Sequence, residues 1–385
     1  MKLLSIEPTP SPNSMKLNVD ERLAAGRRVS YTRDNAAGAP EPLRGLLAIE
    51  GVRGLFRTAD FIALDRKPGA DWGRILAAAR ALLQNGEEGS AASDSAVPQE
   101  HFGEAHAFVQ LYRGIPMQVR VRFGDREVRA AMSDRFTQAV TAAAASSMIR
   151  ERKLEELGVR YGEPEEIAAE LVKELEAAYP QERLNELVTV AASQGTGDES
   201  GQPPAPVRPA PLTVEQLAAR LRSPEWSDRY EALSRTSPEP DMLPLLAEAV
   251  HDDNVSIRRL AVVYLGELRL PEAMPLLFAA LRDSSASVRR TAGDTLSDLG
   301  DPSAVGPMIE ALRDRNKLVR WRAARFLYEA GDHSASEALR EASEDPEFEV
   351  SLQARIALER IERGEEAAGS VWQQMTSRKR EAGSE

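Results

Sequence analysis

The chain has 385 residues, 42% of them hydrophobic, and a formal net charge of -12. That length provides for two or three domains, and the acidic balance excludes a general polyanion binder, which leaves a basic footprint. There is no cysteine, which excludes disulfides, thiolate metal sites, cysteine nucleophiles and cysteine-ligated iron–sulfur clusters. The opening run Met1–Ile6 meets Glu7 and Pro8 too soon for a signal-peptide core. No segment approaches the roughly 20 apolar residues of a membrane helix. A soluble cytoplasmic protein without membrane contact is expected.

Residues 1–84 read as a loop and strand, a helix, two short strands and a final helix through Leu83. Leu55 and Phe56, then Phe61, Ile62 and Leu64, are the expected strand cores, with Gly51 and Gly54 allowing tight turns. The Pro12-Asn13-Ser14-Met15-Lys16 opening, Glu50-Gly51-Val52 and the pair Asp71-Trp72 resemble the N-terminal domain of Nfu-type iron–sulfur scaffold proteins. The resemblance implies a small α/β adaptor fold. Cluster carriage does not transfer, because in that family a separate Cys-x-x-Cys domain holds the cluster and this chain has no cysteine. Asn13 and Lys16 match the motif and form a candidate adaptor loop, fixing the loop itself or touching a ligand.

A Gly-, Ser-, Ala- and acid-rich stretch over 85–100 reads as a linker, since it cannot bury enough apolar surface to order itself. In the block 101–190, Ala107 to Tyr112 precedes Arg113-Gly114-Ile115-Pro116, and Met117, Val119, Val121 and Phe123 then alternate with Gln118, Arg120 and Arg122. That period of two across a Gly/Pro turn predicts a hairpin. Arg113, Arg120, Arg122, Arg126 and Arg129 make it locally basic, either as a polar solvent face or as a phosphate contact. Helices are expected over Asp134–Glu156 and Glu165–Ala178.

A second linker, 191–211, holds five prolines and reads as a semi-rigid spacer. Gly195-Thr196-Gly197 within it follows no strand and is no dinucleotide loop. Over 212–363 the sequence repeats every 31 residues: Asp252, Asp283, Asp314 and Asp345; Ile257, Val288, Val319 and Val350; Ala261, Ala292, Ala323 and Ala354; Leu265, Leu296, Leu327 and Leu358. Arg258, Arg289 and Arg320 recur as well, with Ser351 in the fourth copy. An earlier degenerate unit covers Leu212–Ser234, where Arg229 and Ala232 keep the Arg–Ala spacing with the register slipped by two residues. Each unit reads as two helices. In one unit Pro275 opens the first, Asp283-Ser284 forms the turn, and Gly300-Asp301-Pro302 stops the second. These units resemble HEAT repeats, particularly the short ones of phycobilisome-lyase-type proteins, and such arrays bind partners on their exposed face. The recurring Asp and Arg columns are expected to be caps and an inter-repeat ladder, with a ligand-binding stripe as the alternative. Residues that break the repeat are better candidates for specificity. Arg313, Arg315, Lys317, Arg320, Trp321, Arg322 and Arg325 form a candidate partner-binding patch for an acidic protein. A charged tail occupies 364–385.

The runs Tyr112-Arg113-Gly114-Ile115-Pro116-Met117-Gln118-Val119 and Gly158-Val159-Arg160-Tyr161-Gly162 resemble the virulence-factor domain of the conserved virulence factor C family. That family joins an Nfu-like domain, this domain and HEAT-like repeats in the same order. The resemblance therefore covers nearly the whole chain. It implies a multi-domain fold, α+β and all-α, with a small α/β domain, an α+β middle domain and a C-terminal α-solenoid. It also implies a cytoplasmic protein connected with virulence traits. The four histidines, His101, His106, His251 and His333, are scattered, and no metal helix motif, nucleophile elbow or phosphate loop occurs. No catalytic, metal or cofactor site is expected. The expected role is a non-catalytic scaffold binding partner proteins, with nucleic acid not expected among them. Two alternatives stand beside it: an accessory factor working with iron–sulfur assembly proteins, and a lyase-like chaperone for a prosthetic group.

Overall fold

A computed structural model describes residues 1–8, 14–24, 27–67, 70, 72–84, 104–123, 126–143, 152–193 and 210–364. In the N-terminal domain, β1 (Leu3–Pro8), β2 (Ser14–Val19), β3 (Arg28–Thr32), α1 (Leu43–Ala48), β4 (Val52–Thr58), β5 (Phe61–Arg66) and α2 (Trp72–Gln84) follow in order. The strands form one antiparallel sheet in the order β1-β2-β5-β4-β3. Alternation decides which side chains face the helices. Met15, Leu17 and Val19 on β2 and Ile62 and Leu64 on β5 are buried with Leu46, Leu47 and Trp72. Of the expected strand cores, Leu55, Ile62 and Leu64 are buried, whereas Phe56 and Phe61 fall on the opposite parity and are half-buried. Gly51 has φ +87°, and a Cβ there would stand 2.7 Å from that of Ala70, so the turn into β4 requires glycine.

The middle domain holds β6 (Glu104–Tyr112), β7 (Ile115–Phe123), β8 (Arg126–Ala131), α3 (Asp134–Ala143), β9 (Arg152–Tyr161), α4 (Pro164–Ala178) and α5 (Gln181–Ser193). The expected hairpin forms, and its turn residues Arg113 and Gly114 both have positive φ, as a two-residue turn that follows the strand twist requires. The helix expected over Asp134–Glu156 is corrected: α3 ends at Ala143, and residues from Arg152 onward pair with β6 as β9. Tertiary pairing overrides helix propensity there, because β9 covers the otherwise open edge of β6. A further helix, α5, buries a stripe of Leu184, Leu187 and Ala191 and runs to Ser193, so the linker expected from 191 is corrected at its start. The sheet order is β8-β7-β6-β9, antiparallel throughout.

The repeats are helix pairs: α6 (Val214–Arg220) with α7 (Trp226–Ser234), α8 (Leu243–Ala249) with α9 (Val255–Leu268), α10 (Met274–Ala280) with α11 (Ala286–Leu299), α12 (Val305–Ala311) with α13 (Lys317–Ala330), and α14 (Ser336–Ala342) with α15 (Phe348–Glu362). The alanine column, Ala261, Ala292, Ala323 and Ala354, is fully buried, as are Leu265, Leu296 and Leu327. Leu358 is only half-buried, so the fourth copy of that column departs from the others. Two compact units result: residues 1–102 with 308–385, and residues 103–307. Within the first, α15 packs on α2. Within the second, α4 packs on α7.

Candidate interaction surfaces

The aspartate column sits in the turn between the two helices of a pair. Its side chains accept from backbone amides two residues on: Asp252 from Asn254, Asp283 from Ser285, Asp314 from Asn316 and Asp345 from Glu347. Three arginines reach three of these carboxylates with both fork nitrogens. Arg229 meets Asp252 at 2.7 and 2.8 Å, Arg258 meets Asp283 at 2.7 and 3.0 Å, and Arg320 meets Asp345 at 2.6 and 2.9 Å. Each arginine also donates to carbonyls of its own turn, as Arg320 does to Asp314 and Arg315. The ladder extends to the degenerate first unit through Arg229. Burial works against the Asp283 charge, yet Arg258 and the Ser285 amide together hold its carboxyl below the usual range. Replacing Arg320 by alanine is expected to lower stability by about 2 kcal/mol, the scale of a charge-assisted fork. Denaturant midpoints of the full chain would measure it, and a loss below about 0.5 kcal/mol would demote the fork to a bystander.

The expected basic patch is corrected by burial. Trp321 is 3% exposed and Arg325 4%. They stand four residues apart on one face of α13, and that face is turned inward with Leu318. Arg325 pairs with Glu329 at 2.8 Å, and Arg320 belongs to the ladder. Arg313 bonds Glu341 at 2.6 Å and Lys317 reaches Glu347 at 3.4 Å. Arg315 is exposed and Arg322 is half-buried, 5.6 Å from the Trp321 ring. These seven residues do not form one continuous exposed surface. In the candidate adaptor loop, Asn13 lies outside the described residues. Lys16 places its ammonium 5.2 Å from the Phe61 ring centroid, across the β2–β5 pair. His101 also lies outside the described residues.

Two buried charge clusters escaped the sequence reading. In the first, Glu174 of α4 accepts from Arg259 of α9 at 3.0 and 3.2 Å, and Arg160 of β9 stands 3.5 Å away. Tyr230 of α7 and Ser256 share the site. Burial alone would raise the Glu174 carboxyl, but the two guanidiniums and the bonds from Arg259 and Ser256 bring it below the usual range. Burial pushes Tyr230 up, with the Glu174 charge adding to it. Nearby, the Arg290 guanidinium lies 3.9 Å from the Tyr161 ring centroid and pairs with Asp294. In the second cluster, Arg66 of β5, 1% exposed, donates to the Ala70 carbonyl and to Glu349 of α15, both at 2.7 Å, and lies 5.3 Å from the Trp72 ring centroid.

One repeat position contributes to these contacts, beside Ser256 and Glu349, which stand three residues before it in their copies. It follows the ladder arginine and is occupied by Arg259, Arg290, Trp321 and Leu352. Arg259 and Arg290 meet the middle domain. Leu352 packs on the N-terminal core, and Trp321 is buried.

Among the described residues, no three His, Asp or Glu side chains gather as a metal site, and no helix is long and apolar enough to cross a membrane.

Comparison with known proteins matches each part. A model described as Scaffold protein Nfu/NifU N terminal covers residues 4–88, one described as Virulence factor covers 110–188, and HEAT repeats cover 214–293 and 274–359. A Bacillus subtilis protein, YpgR, is 53% identical over 388 residues, covering 99% of this chain and 100% of its own. A Staphylococcus aureus protein named conserved virulence factor C is 43% identical over 390 residues, covering 98% of this chain and 100% of its own. A crystal structure of the S. aureus protein SAV1430 aligns at 31% identity over 22% of this chain and all of its own, with a TM-score of 0.21. An iron–sulfur cluster, which the Nfu likeness brings to mind, does not fit the donor set, since the chain offers no thiolate. Matched end to end by these relatives, and carrying the three domain types in order, the chain belongs to the conserved virulence factor C family.

Proposed function

We propose that this chain is a non-catalytic cytoplasmic scaffold that binds partner proteins in the service of a virulence-associated process. The observation that carries the reading is the use of buried ion pairs to fasten sheet domains to repeat helices: Arg259 to Glu174 in one unit and Glu349 to Arg66 in the other. A charge taken out of water and matched across two elements fixes one arrangement. Repeat helices that hold domains in fixed positions act as a frame, and HEAT repeats serve protein–protein contact in general.

Crosslinking the full chain in its native cells, followed by purification and peptide mapping, tests this. The expected result is a reproducible set of partner proteins crosslinked at defined lysines. A chain that crosslinks no more protein than an untagged control would sink the proposal. A second reading, an accessory role in iron–sulfur assembly through protein contact alone, draws on the match over residues 4–88. It requires that cluster-assembly proteins crosslink within that stretch, and fails if none does.

A further inference from the structure

The two faces of the middle-domain sheet differ in kind. Ala107, Val119, Val121 and Phe123 are buried in a core shared with α3, α4 and α5. The opposite face presents polar side chains in cross-strand rows. Arg129, Arg120, Phe108 and Glu156 succeed one another across β8, β7, β6 and β9. Beside that row stand Glu127, Arg122 and His106. On the other side, Leu154 of β9 lies opposite Gln110.

Charge is unbalanced at one end of this face. Glu127 is the single acid among three arginines: Arg122 at 2.9 Å, Arg129 at 2.6 Å and Arg120 at 3.8 Å. The guanidiniums are also held in place. Arg122 lies 4.8 Å from the Phe108 ring centroid, and Arg120 donates to Gln110 at 3.1 Å. Cations already ordered lose little freedom on binding. At the other end, Leu154 is 43% exposed, one of four large hydrophobic side chains open to solvent among the described residues. It is a diagonal neighbour of half-buried Phe108, so an apolar contact of two side chains adjoins the basic rows.

We infer that this open sheet face docks an acidic segment of a partner protein, with carboxylates on Arg120, Arg122 and Arg129 and an apolar side chain over Phe108 and Leu154. The inference rests on the scaffold reading and gives its partner a chemistry. A protein segment suits the face better than nucleic acid. The net charge of the chain is -12, and Glu127 and Glu156 stand on the face itself, so a long polyanion meets repulsion at both ranges. A short acidic stretch with one apolar anchor meets only the local field.

The test uses the full purified chain against a displayed library of random 12-residue peptides. Selected peptides are expected to be rich in Asp and Glu with a Leu, Ile, Val or Phe among them. Their binding should weaken at least ten-fold in R122E/R129E and in R129E alone, and should fall as salt rises from about 0.05 to about 0.5 M. Arg122 and Arg129 are exposed, so unchanged thermal unfolding is expected for both variants. Selection of peptides without acidic residues, or binding by both variants as tight as that of the unaltered chain, overturns the inference. So does displacement of selected peptides by a 20-nucleotide single strand that binds more tightly at the same arginines. Partner crosslinks in cells that never involve Lys153, the single lysine of β6 to β9, would also overturn it while leaving the scaffold reading intact.

Discussion

Replacing Glu174 by alanine is expected to cost about 3–5 kcal/mol, because it removes the carboxylate that bonds the buried Arg259. Arg259 is 7% exposed and Glu174 5%, and neither can turn to water without opening the contact between α4 and α9. Chemical unfolding of the full chain would measure the loss, and hydrogen exchange would place it in α4, α7 and α9. A loss under about 1 kcal/mol would mean that the cluster is already hydrated. The paired replacement Glu174→Leu with Arg259→Met should recover part of the stability, since it removes two of the buried charges together and leaves Arg160, 18% exposed, without Glu174. The same cluster predicts a pH effect with a definite sign. Glu174 titrates below its ordinary value of 4.5 in the folded chain, so its stabilisation is present above that value and disappears as pH falls through the folded pKa. The stability gap between the unaltered chain and Glu174→Gln should therefore narrow below about pH 4.5.

Trp72→Ala should have a comparable effect on the N-terminal domain, about 3–5 kcal/mol. Trp72 is fully buried at the start of α2 and touches the core built from β2, β4, β5 and α1. Its ring also lies 5.3 Å from the Arg66 guanidinium, so truncation opens a cavity beside a buried charge. Amide exchange in β4 and β5 is the direct measure, with protection over Val52–Thr58 and Phe61–Arg66 expected to drop. Unchanged protection there would show that the core refills the space.

The repeat architecture was legible because its period is long and its columns are apolar. Four positions kept 31 residues apart specify helices, turns and buried faces together. The ladder was legible too, since Asp and Arg recur at the same interval. The N-terminal and middle sheets were read less completely. Residues 152–156 look helical in isolation, and only their pairing with β6 makes them a strand. Most of the buried charge was missed, although the pattern held a signal. Arg66 occupies the inward parity of β5 after Ile62 and Leu64, and Glu174 stands on the apolar stripe of α4 with Ile167 and Leu171. A charge on an inward position calls for a partner from elsewhere in the fold, and sequence spacing alone does not say which element supplies it. The patch around Trp321 failed for the converse reason. Residues close along the sequence do not make one surface cluster here, because the helix turns Trp321 and Arg325 inward.

The position after the ladder arginine separates two kinds of information written into the same helices. The aspartate, arginine and alanine columns are common property and say only that one helix pair follows another. The neighbouring column reads Arg259, Arg290, Trp321, Leu352, polar in the first two copies and apolar in the last two. It works as an address line: the shared columns serve the pairing of helices, while Arg259 and Arg290 meet the middle domain and Leu352 the N-terminal one. Such a division lets the addresses diverge without disturbing the helix pairs, so one repeat plan can be fitted against different neighbouring domains.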